Sequence, residues 1–89
     1  MDKIVASVKI FPEDIIIGKE ELKEAIAKAI PQGASLYRID EEPIAFGLVA
    51  LIAHIIVPEE GGDEVGKVEE ALRGVKGVSE VETILVRRI

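Results

Sequence analysis

The sequence predicts an α+β domain in which a four-stranded antiparallel sheet carries two helices on one of its faces. Three observations support this prediction. Residues 3–11 alternate between polar and apolar side chains, as a half-buried strand does. Residues 19–30 carry apolar side chains at helical spacing. Both kinds of segment recur, in the order strand, helix, strand, strand, helix, strand, and each helical segment leaves enough residues for a crossover connection.

The first predicted strand, residues 3–11, has two different faces. The face expected to enter the core consists of Ile4, Ala6, Val8 and Ile10. The opposite face consists of Val5, Ser7, Lys9 and Phe11. Pro12 ends the strand, since proline cannot donate a ladder hydrogen bond. The isoleucines at positions 15–17 lie in the following loop, and we expect them to pack against the first helix.

The first predicted helix, residues 19–30, is amphipathic. Glu20 and Glu21 begin it, where the helix dipole favours anions, and Pro31 and Gly33 end it. Its apolar stripe, at the spacing of a helix face that covers a sheet, consists of Leu22, Ala25, Ile26, Ala29 and Ile30.

The second and third predicted strands follow in succession. In the second, residues 34–42, alternation places Leu36, Arg38 and Asp40 on one face and Tyr37 and Ile39 on the other. The third comes from the apolar run of residues 44–57, which only Gly47 and His54 interrupt. Its odd-numbered residues from 49 to 57 are expected to face the helices. Its even-numbered residues, expected on the opposite face, are Phe46, Leu48, Ala50, Ile52, His54 and Ile56.

The second predicted helix and the last strand complete the order. Asp63 is the predicted N-cap and Gly74 the C′ residue, and the buried stripe is expected to consist of Val65, Val68, Ala71 and Leu72. Gly77 then leads into a strand over residues 78–87. Alternation in this strand places Val81, Thr83 and Leu85 opposite Glu80, Glu82 and Ile84. With two right-handed crossovers, this order is that of the ferredoxin-like α/β plait.

Length and composition narrow the class of protein. The 89 residues, 48% hydrophobic and 31% charged, suffice for a single domain with its own core. The absence of cysteine excludes disulfides and thiolate metal sites. A net charge of −6 argues against a nucleic-acid partner. The first ten residues show no signal-peptide pattern, so we expect a cytoplasmic protein without a membrane partner. The abundance of Lys and Glu and the absence of Asn suit a thermophile.

Residues that could carry catalysis or bind a metal do not form a recognisable pattern. His54 is the only histidine and lies in an apolar run, where a core role is the simpler interpretation. The acids Asp40, Glu41 and Glu42 could bind a cation, but consecutive acids are more typical of a solvated turn. Ser7 has neither a glycine elbow nor a base near it along the chain. We therefore predict no enzyme, no cofactor and no metal site.

The helix-free face of the predicted sheet leaves another class of function open. Its apolar residues could be covered by a partner, a loop or a second copy of the domain. Residues 45–51 loosely echo the aromatic third-strand motif of RNA-recognition motifs, but they lack its basic residue and its later aromatic. Residues 74–81 resemble a Gly-Val-x-Gly-Val-x-x-Val pattern of regulatory ligand-binding domains. An RNA- or small-ligand-binding module is therefore the alternative hypothesis.

The most specific pattern in the chain is residues 40–51, DEEPIAFGLVAL. It resembles the signature of archaeal elongation factor 1-beta. Residues 4–12, IVASVKIFP, and residues 86–89, VRRI, resemble the two ends of the same family, so the resemblance covers essentially the whole chain. The exchange domain of the eukaryotic factor has Pro-Ile-Gly-Phe-Gly-Ile in the related stretch, and Ala45 departs from its first glycine.

This resemblance implies a guanine nucleotide exchange factor that promotes GDP release from, and GTP loading of, elongation factor 1-alpha during translation elongation. In the family, the aromatic that matches Phe46 inserts into a pocket of the GTPase. A penultimate basic residue, lysine in eukaryotic members, reaches toward the magnesium and phosphate-loop region. That position is Arg88 here, and Arg87 beside it is also a candidate. The implied partner-binding residues are Pro43, Ile44, Phe46, Gly47, Arg87, Arg88 and Ile89. On this interpretation the apolar run divides in two: residues 43–48 form an edge where the turn presents Phe46 to a partner, and the residues from Val49 onward form the core strand.

Overall fold

A computed structural model describes residues 3–13, 18–58 and 64–88 of the chain. The elements are β1 (Lys3–Pro12), α1 (Lys19–Ala29), β2 (Ser35–Pro43), a 3₁₀ turn (Ala45–Gly47), β3 (Val49–Pro58), α2 (Glu64–Arg73) and β4 (Val78–Arg88). The four strands form one antiparallel sheet in the order β2-β3-β1-β4. The predicted βαββαβ plait is confirmed, with β1 and β3 at the centre of the sheet.

The core lies between the helices and the inward face of the sheet. Leu22 and Ile26 of α1 and Val68 and Leu72 of α2 are buried, as the helical spacing predicted. The predicted inward residues of the central strands are buried as well, namely Ala6, Val8, Ile10, Leu51, Ala53, Ile55 and Val57. Full burial of each larger aliphatic side chain contributes about 1.5–3 kcal/mol to stability.

A β-bulge in β2 changes which side chains share a face. The register shifts between Leu36 and Arg38, which leaves Tyr37 as an extra residue. Leu36 and Ile39 therefore both pack against the core. The prediction that Leu36 shares a face with Arg38 and Asp40 is wrong, because the period of two breaks wherever a strand carries an extra residue.

A second bulge has the same effect in β4. Thr83 pairs with Val8, whereas Leu85 pairs with the adjacent Ser7, so Ile84 is the extra residue. Leu85 consequently lies on the helix-free face and is 50% exposed. The prediction that Leu85 shares a face with Thr83 is therefore also wrong.

Element ends differ from the predictions at two places. β3 begins at Val49 rather than at the start of the apolar run, so Phe46 precedes the strand. Gly74 directly follows α2, but the positive φ of this connection is at Gly77, at 98°. The predicted N-cap Asp63 and the isoleucines at positions 15–17 lie outside the described residues. No helix within the described ranges is long and apolar enough to cross a membrane.

Candidate functional site

A tight turn joins β2 to β3. The N–H of Leu48 donates to the carbonyl of Ala45 at 3.2 Å, and the N–H of Ile44 donates to the carbonyl of Leu48 at 2.8 Å. Between them, Phe46 and Gly47 have φ angles of 62° and 78°. Two successive positive φ angles are characteristic of a type I′ turn, whose twist matches that of the flanking strands. The hairpin geometry thus places Phe46 at its tip.

The side chain of Phe46 extends into solvent and is 93% exposed. The left-handed backbone conformation costs a non-glycine residue about 1–2 kcal/mol. An exposed phenylalanine also forgoes the ~1.5–3 kcal/mol that burial of its ring would contribute. The fold therefore gains little from a phenylalanine here, whereas a partner with an apolar pocket would. The prediction that Phe46 lies on the even-numbered face of β3 is wrong, and the RNA-binding alternative loses its base-stacking position.

The other predicted residues of the turn lie directly beside Phe46. Pro43 ends β2 opposite Val49 and is exposed, whereas Ile44 is half-buried. Gly47 is exposed, and glycine adopts its positive φ without a steric penalty. The structure thus brings Pro43, Ile44, Phe46 and Gly47 together at the tip of one hairpin.

The acids that precede the turn are held by cations of the fold. Lys23 of α1 lies 2.8 Å from a carboxylate oxygen of Glu41, and Lys9 of β1 forms an ion pair with Glu42. These contacts tie the base of the hairpin to the helix layer and to the central strand. Among the described residues, no group of three His, Asp or Glu side chains is arranged to hold a metal ion.

Asp40 belongs to a hydrogen-bonded network on the helix-free face. Its carboxylate lies 2.9 Å from Nε2 of His54, and Nδ1 of His54 lies 2.8 Å from Oγ of Ser7. A carboxylate can only accept, so Nε2 of His54 donates to it. A hydroxyl can donate or accept, so Ser7 completes the hydrogen bond with Nδ1. Ser7 is only 3% exposed. This hydrogen-bonded network therefore satisfies buried polar groups rather than presenting a nucleophile to a substrate.

The sequence alone did not predict this hydrogen-bonded network. Ser7 has no base near it along the sequence, but antiparallel pairing of β1 with β3 places His54 directly opposite Ser7. The pairing of β2 with β3 then brings Asp40 within reach of the other ring nitrogen. Ser7 and His54 both fall on the outward face of their strands. This indicates a contact between them only once the register of the two strands is known.

Replacing Asp40 by asparagine is expected to reduce the loss of stability in acid. The hydrogen bond from His54, aided by Arg38, holds the pKa of Asp40 below its ordinary value. The stabilisation from this depressed pKa is present above the unfolded-state pKa and is lost as the pH falls through the lower folded-state value. Denaturant unfolding between about pH 5 and pH 2 should show a steeper decline for the wild type than for Asp40→Asn. Glu70→Gln, on the exposed side of α2, is the control, and parallel curves for the wild type and Asp40→Asn would contradict the expectation.

The two arginines at the end of β4 lie on opposite faces of the sheet. Arg87 pairs with Val5 and so lies on the helix-free face, whereas Arg88 pairs with Ile4 and lies on the helix side. Both are exposed. The third predicted residue of this end, Ile89, lies outside the described residues.

The structure does not bring the Phe46 turn and the terminal arginines together. Along β1, Ile10 pairs with Leu51 near the turn, whereas Ile4 pairs with Arg88. Strand residues advance about 3.4 Å each, so these two rows alone lie about 20 Å apart. The longest dimension of the molecule is 42 Å. A single partner that contacts both parts must therefore span most of the sheet.

Comparison with known proteins identifies the family. Residues 5–89 match the family model described as EF-1 guanine nucleotide exchange domain. The chain belongs to this family. Over its whole length it is 48% identical to elongation factor 1-beta of Methanothermobacter thermautotrophicus and 50% identical to that of Staphylothermus marinus, and it covers 99% of each relative. Elongation factor 1-beta of Methanosarcina barkeri is 50% identical, with both chains covered in full.

Solved structures confirm the fold of this exchange domain. An ACT domain from GTP pyrophosphokinase of Chlorobium tepidum has a TM-score of 0.64 at 22% identity, covering 92% of this chain and 99% of that one. The C-terminal domain of MgtC from Mycobacterium tuberculosis has a TM-score of 0.64 at 14% identity, covering 92% and 85%. At such identities the likeness concerns the fold alone. The family match itself confirms the predicted function, guanine nucleotide exchange on elongation factor 1-alpha during translation elongation.

Proposed function

We propose that the chain promotes GDP release and GTP loading through two separate contacts with elongation factor 1-alpha. Phe46 anchors the complex at one end of the sheet, and an arginine at the end of β4 acts on the nucleotide site. The observation that carries this proposal is the 93% exposure of Phe46 in a turn that disfavours phenylalanine. The residues assigned to the two contacts are Pro43, Ile44, Phe46, Gly47, Arg87, Arg88 and Ile89.

The two contacts have different thermodynamic roles. An exchange factor must bind the nucleotide-free GTPase more tightly than the loaded one, and linkage then requires that it weaken nucleotide binding by the same factor. A contact made equally in both states adds affinity but does not drive release. Phe46 fits the role of such an anchor, since buried aromatics dominate many interfaces. The arginine contact supplies the difference between the two states.

A guanidinium group is suited to the second role. The nucleotide site of a GTPase contains phosphate, magnesium and the carboxylate near the metal. An arginine brought there can pair with the phosphate or the carboxylate in a bidentate manner and so compete with the contacts that hold the metal. Arg88 matches the family's penultimate basic position and lies on the helix side of the sheet. We therefore assign it the principal part, with Arg87 beside it.

The rest of the chain acts as a rigid spacer. Exchange makes and breaks no covalent bond, so we propose that the chain has no covalent chemistry of its own. Residues 1–89 act as a single exchange domain in the cytoplasm, and neither nucleic acid nor a membrane contacts the chain directly. The net charge of −6 supports the absence of a polyanionic partner.

Release of a fluorescent GDP analogue from elongation factor 1-alpha of a relative tests the proposal. Increasing amounts of the chain should accelerate release until the rate saturates, and should weaken the equilibrium affinity of the GTPase for GDP by about 5- to 150-fold, the usual range of coupling between two sites. An unrelated GTPase in the same assay is the control. Release at the spontaneous rate at every concentration, or an affinity pulldown that recovers mainly RNA, would contradict the proposal.

A further inference from the structure

The helix-free face of the sheet divides into a basic half and an acidic half. Toward the end that carries the terminal arginines, its charged residues are Lys3, Arg38 and Arg87. Toward the Phe46 turn, its charged residues are Lys9, Asp40, Glu42, Glu80 and Glu82. The face is therefore strongly dipolar along the strands.

Strand pairing orders the face into four rows that cross the sheet. Row one contains Arg87, Val5 and Ile56. Row two contains Leu85, Ser7, His54 and Arg38. Row three contains Glu82, Lys9, Ile52 and Asp40. Row four contains Glu80 and Phe11, with Ala50 and Glu42 at the same level. Successive rows lie about 7 Å apart, since alternate residues of a strand share a face.

We propose that this face binds a second copy of the chain through a two-fold axis that lies midway between the two facing sheets. The axis runs parallel to the sheets and perpendicular to the strands, level with the gap between rows two and three. This axis places row one on row four and row two on row three of the partner. Opposite charges and apolar side chains then meet across the interface, in the pairs Arg87 with Glu80, Arg38 with Asp40, and Val5 with Phe11. The face is complementary to itself, as a two-fold interface requires.

Other features of the face favour this occupant. Neither Arg87 nor Glu80 has an ion-pair partner among the described residues, although many other charges of the face are paired within the chain. A single-sign partner such as RNA would be repelled by one half of the face, whereas an inverted copy matches both halves.

The area of the helix-free face determines the affinity expected for the dimer. Four strands give a width of about 19 Å, and the four rows with their margins give a length of about 30 Å. The interface then buries about 1,200 Å² in total, which is the low end for specific complexes. A dimer with a dissociation constant in the micromolar range and a marked salt dependence is expected. It leaves the Phe46 turn and Arg88 outside the interface but includes Arg87, which the proposed exchange mechanism also uses. Dimerisation is therefore measured on the chain alone, without the GTPase, so that the two proposals can fail separately.

Charge reversal at one pair tests the geometry. The variants Arg87→Glu and Glu80→Arg should each raise the dimer dissociation constant about tenfold or more, because each places like charges opposite one another twice per dimer. Mixing the two variants should restore dimerisation, and so should combining both changes in one chain. Sedimentation velocity over about 1–500 µM, at low and high salt, measures the effect.

Lys76→Glu is the matched control, since it makes the same charge change in the exposed loop before β4, away from the face. It should leave the dissociation constant unchanged. Arg87 and Glu80 lie at opposite ends of the same face, too far apart to interact within one chain, so rescue can come only from contacts between chains. A wild type that stays monomeric throughout the concentration range, or a dimer that ignores both reversals, would overturn the proposal.

Discussion

Replacing Phe46 by alanine is expected to raise the concentration of chain needed for half-maximal GDP release about 30- to 1000-fold, while the domain stays folded. A buried aromatic anchor contributes about 2–4 kcal/mol to an interface, which corresponds to that range in affinity. The fold is unaffected because the ring is 93% exposed and so contributes almost no burial to the core. The release rate at saturating concentration should change less, since the anchor contributes to both the loaded and the empty complex.

Phe46→Asn separates the role in binding from any role in folding. Asparagine is favoured in the first central position of a type I′ turn, where the φ of 62° disfavours phenylalanine. This variant should therefore be more stable than the wild type by about 1 kcal/mol in denaturant unfolding and yet be as defective in exchange as Phe46→Ala. A variant that both gained stability and retained exchange would show that the ring is not the anchor.

Tyr37→Ala is the matched control for loss of an exposed aromatic. Tyr37 is 66% exposed at the bulge of β2, away from the turn. Its removal should leave half-maximal release within about threefold of the wild type, as for a surface residue outside the contact. If Phe46→Ala and Tyr37→Ala behave alike, the turn is not the principal contact.

The fold could be predicted because its elements follow simple periods. The inward faces of β1 and β3 and the stripes of both helices are set by hydrophobic spacing alone, and each was located correctly. The errors arise at residues where the period breaks. Bulges at Tyr37 and Ile84 reverse the face of the sheet on which the later residues of each strand lie, and no local residue type marks either position.

The position of Phe46 could not be predicted from hydrophobicity either. The run from residue 44 to residue 57 looks continuous, because a type I′ turn needs positive φ angles rather than polar side chains. Gly47 was the one local sign, since an isolated glycine in a strand pattern often marks a bulge or turn. Phe46 itself is a poor residue for this conformation, and a rule based on turn preference would pass over it. The proposed anchor residue is therefore one that local preference disfavours.

The alternation of side chains along β4 also determines the face of the sheet on which each terminal arginine lies. Neighbouring residues of a regular strand point to opposite faces, so Arg87 and Arg88 were expected to separate. Without the bulge at Ile84, Arg87 would lie on the core side of the sheet, as Val81 and Thr83 do. With the bulge, Arg88 takes the helix side and Arg87 the helix-free face. The structure thus makes the two arginines testable one at a time.

Replacing Arg88 by alanine is expected to lower the maximal rate of stimulated GDP release about tenfold or more, with a smaller change in the half-maximal concentration. A guanidinium that pairs with a desolvated phosphate or carboxylate contributes about 2 kcal/mol or more to the state in which it makes that contact. Here that state is the complex with nucleotide displaced, so the loss falls on the rate rather than on docking. Arg87→Ala, the same change on the opposite face, should retain most of the maximal rate.

Arg88→Lys distinguishes charge from geometry at this position. Lysine keeps the positive charge but not the planar fork, so a bidentate contact would be weakened while a simple competition with the magnesium ion would be preserved. A rate near that of the wild type would therefore indicate that Arg88 acts as a cation, and a rate near that of Arg88→Ala would indicate bidentate pairing. Equal losses in Arg87→Ala and Arg88→Ala would instead mean that the end of β4 contributes net charge without a preferred face, and the assignment to Arg88 would be wrong.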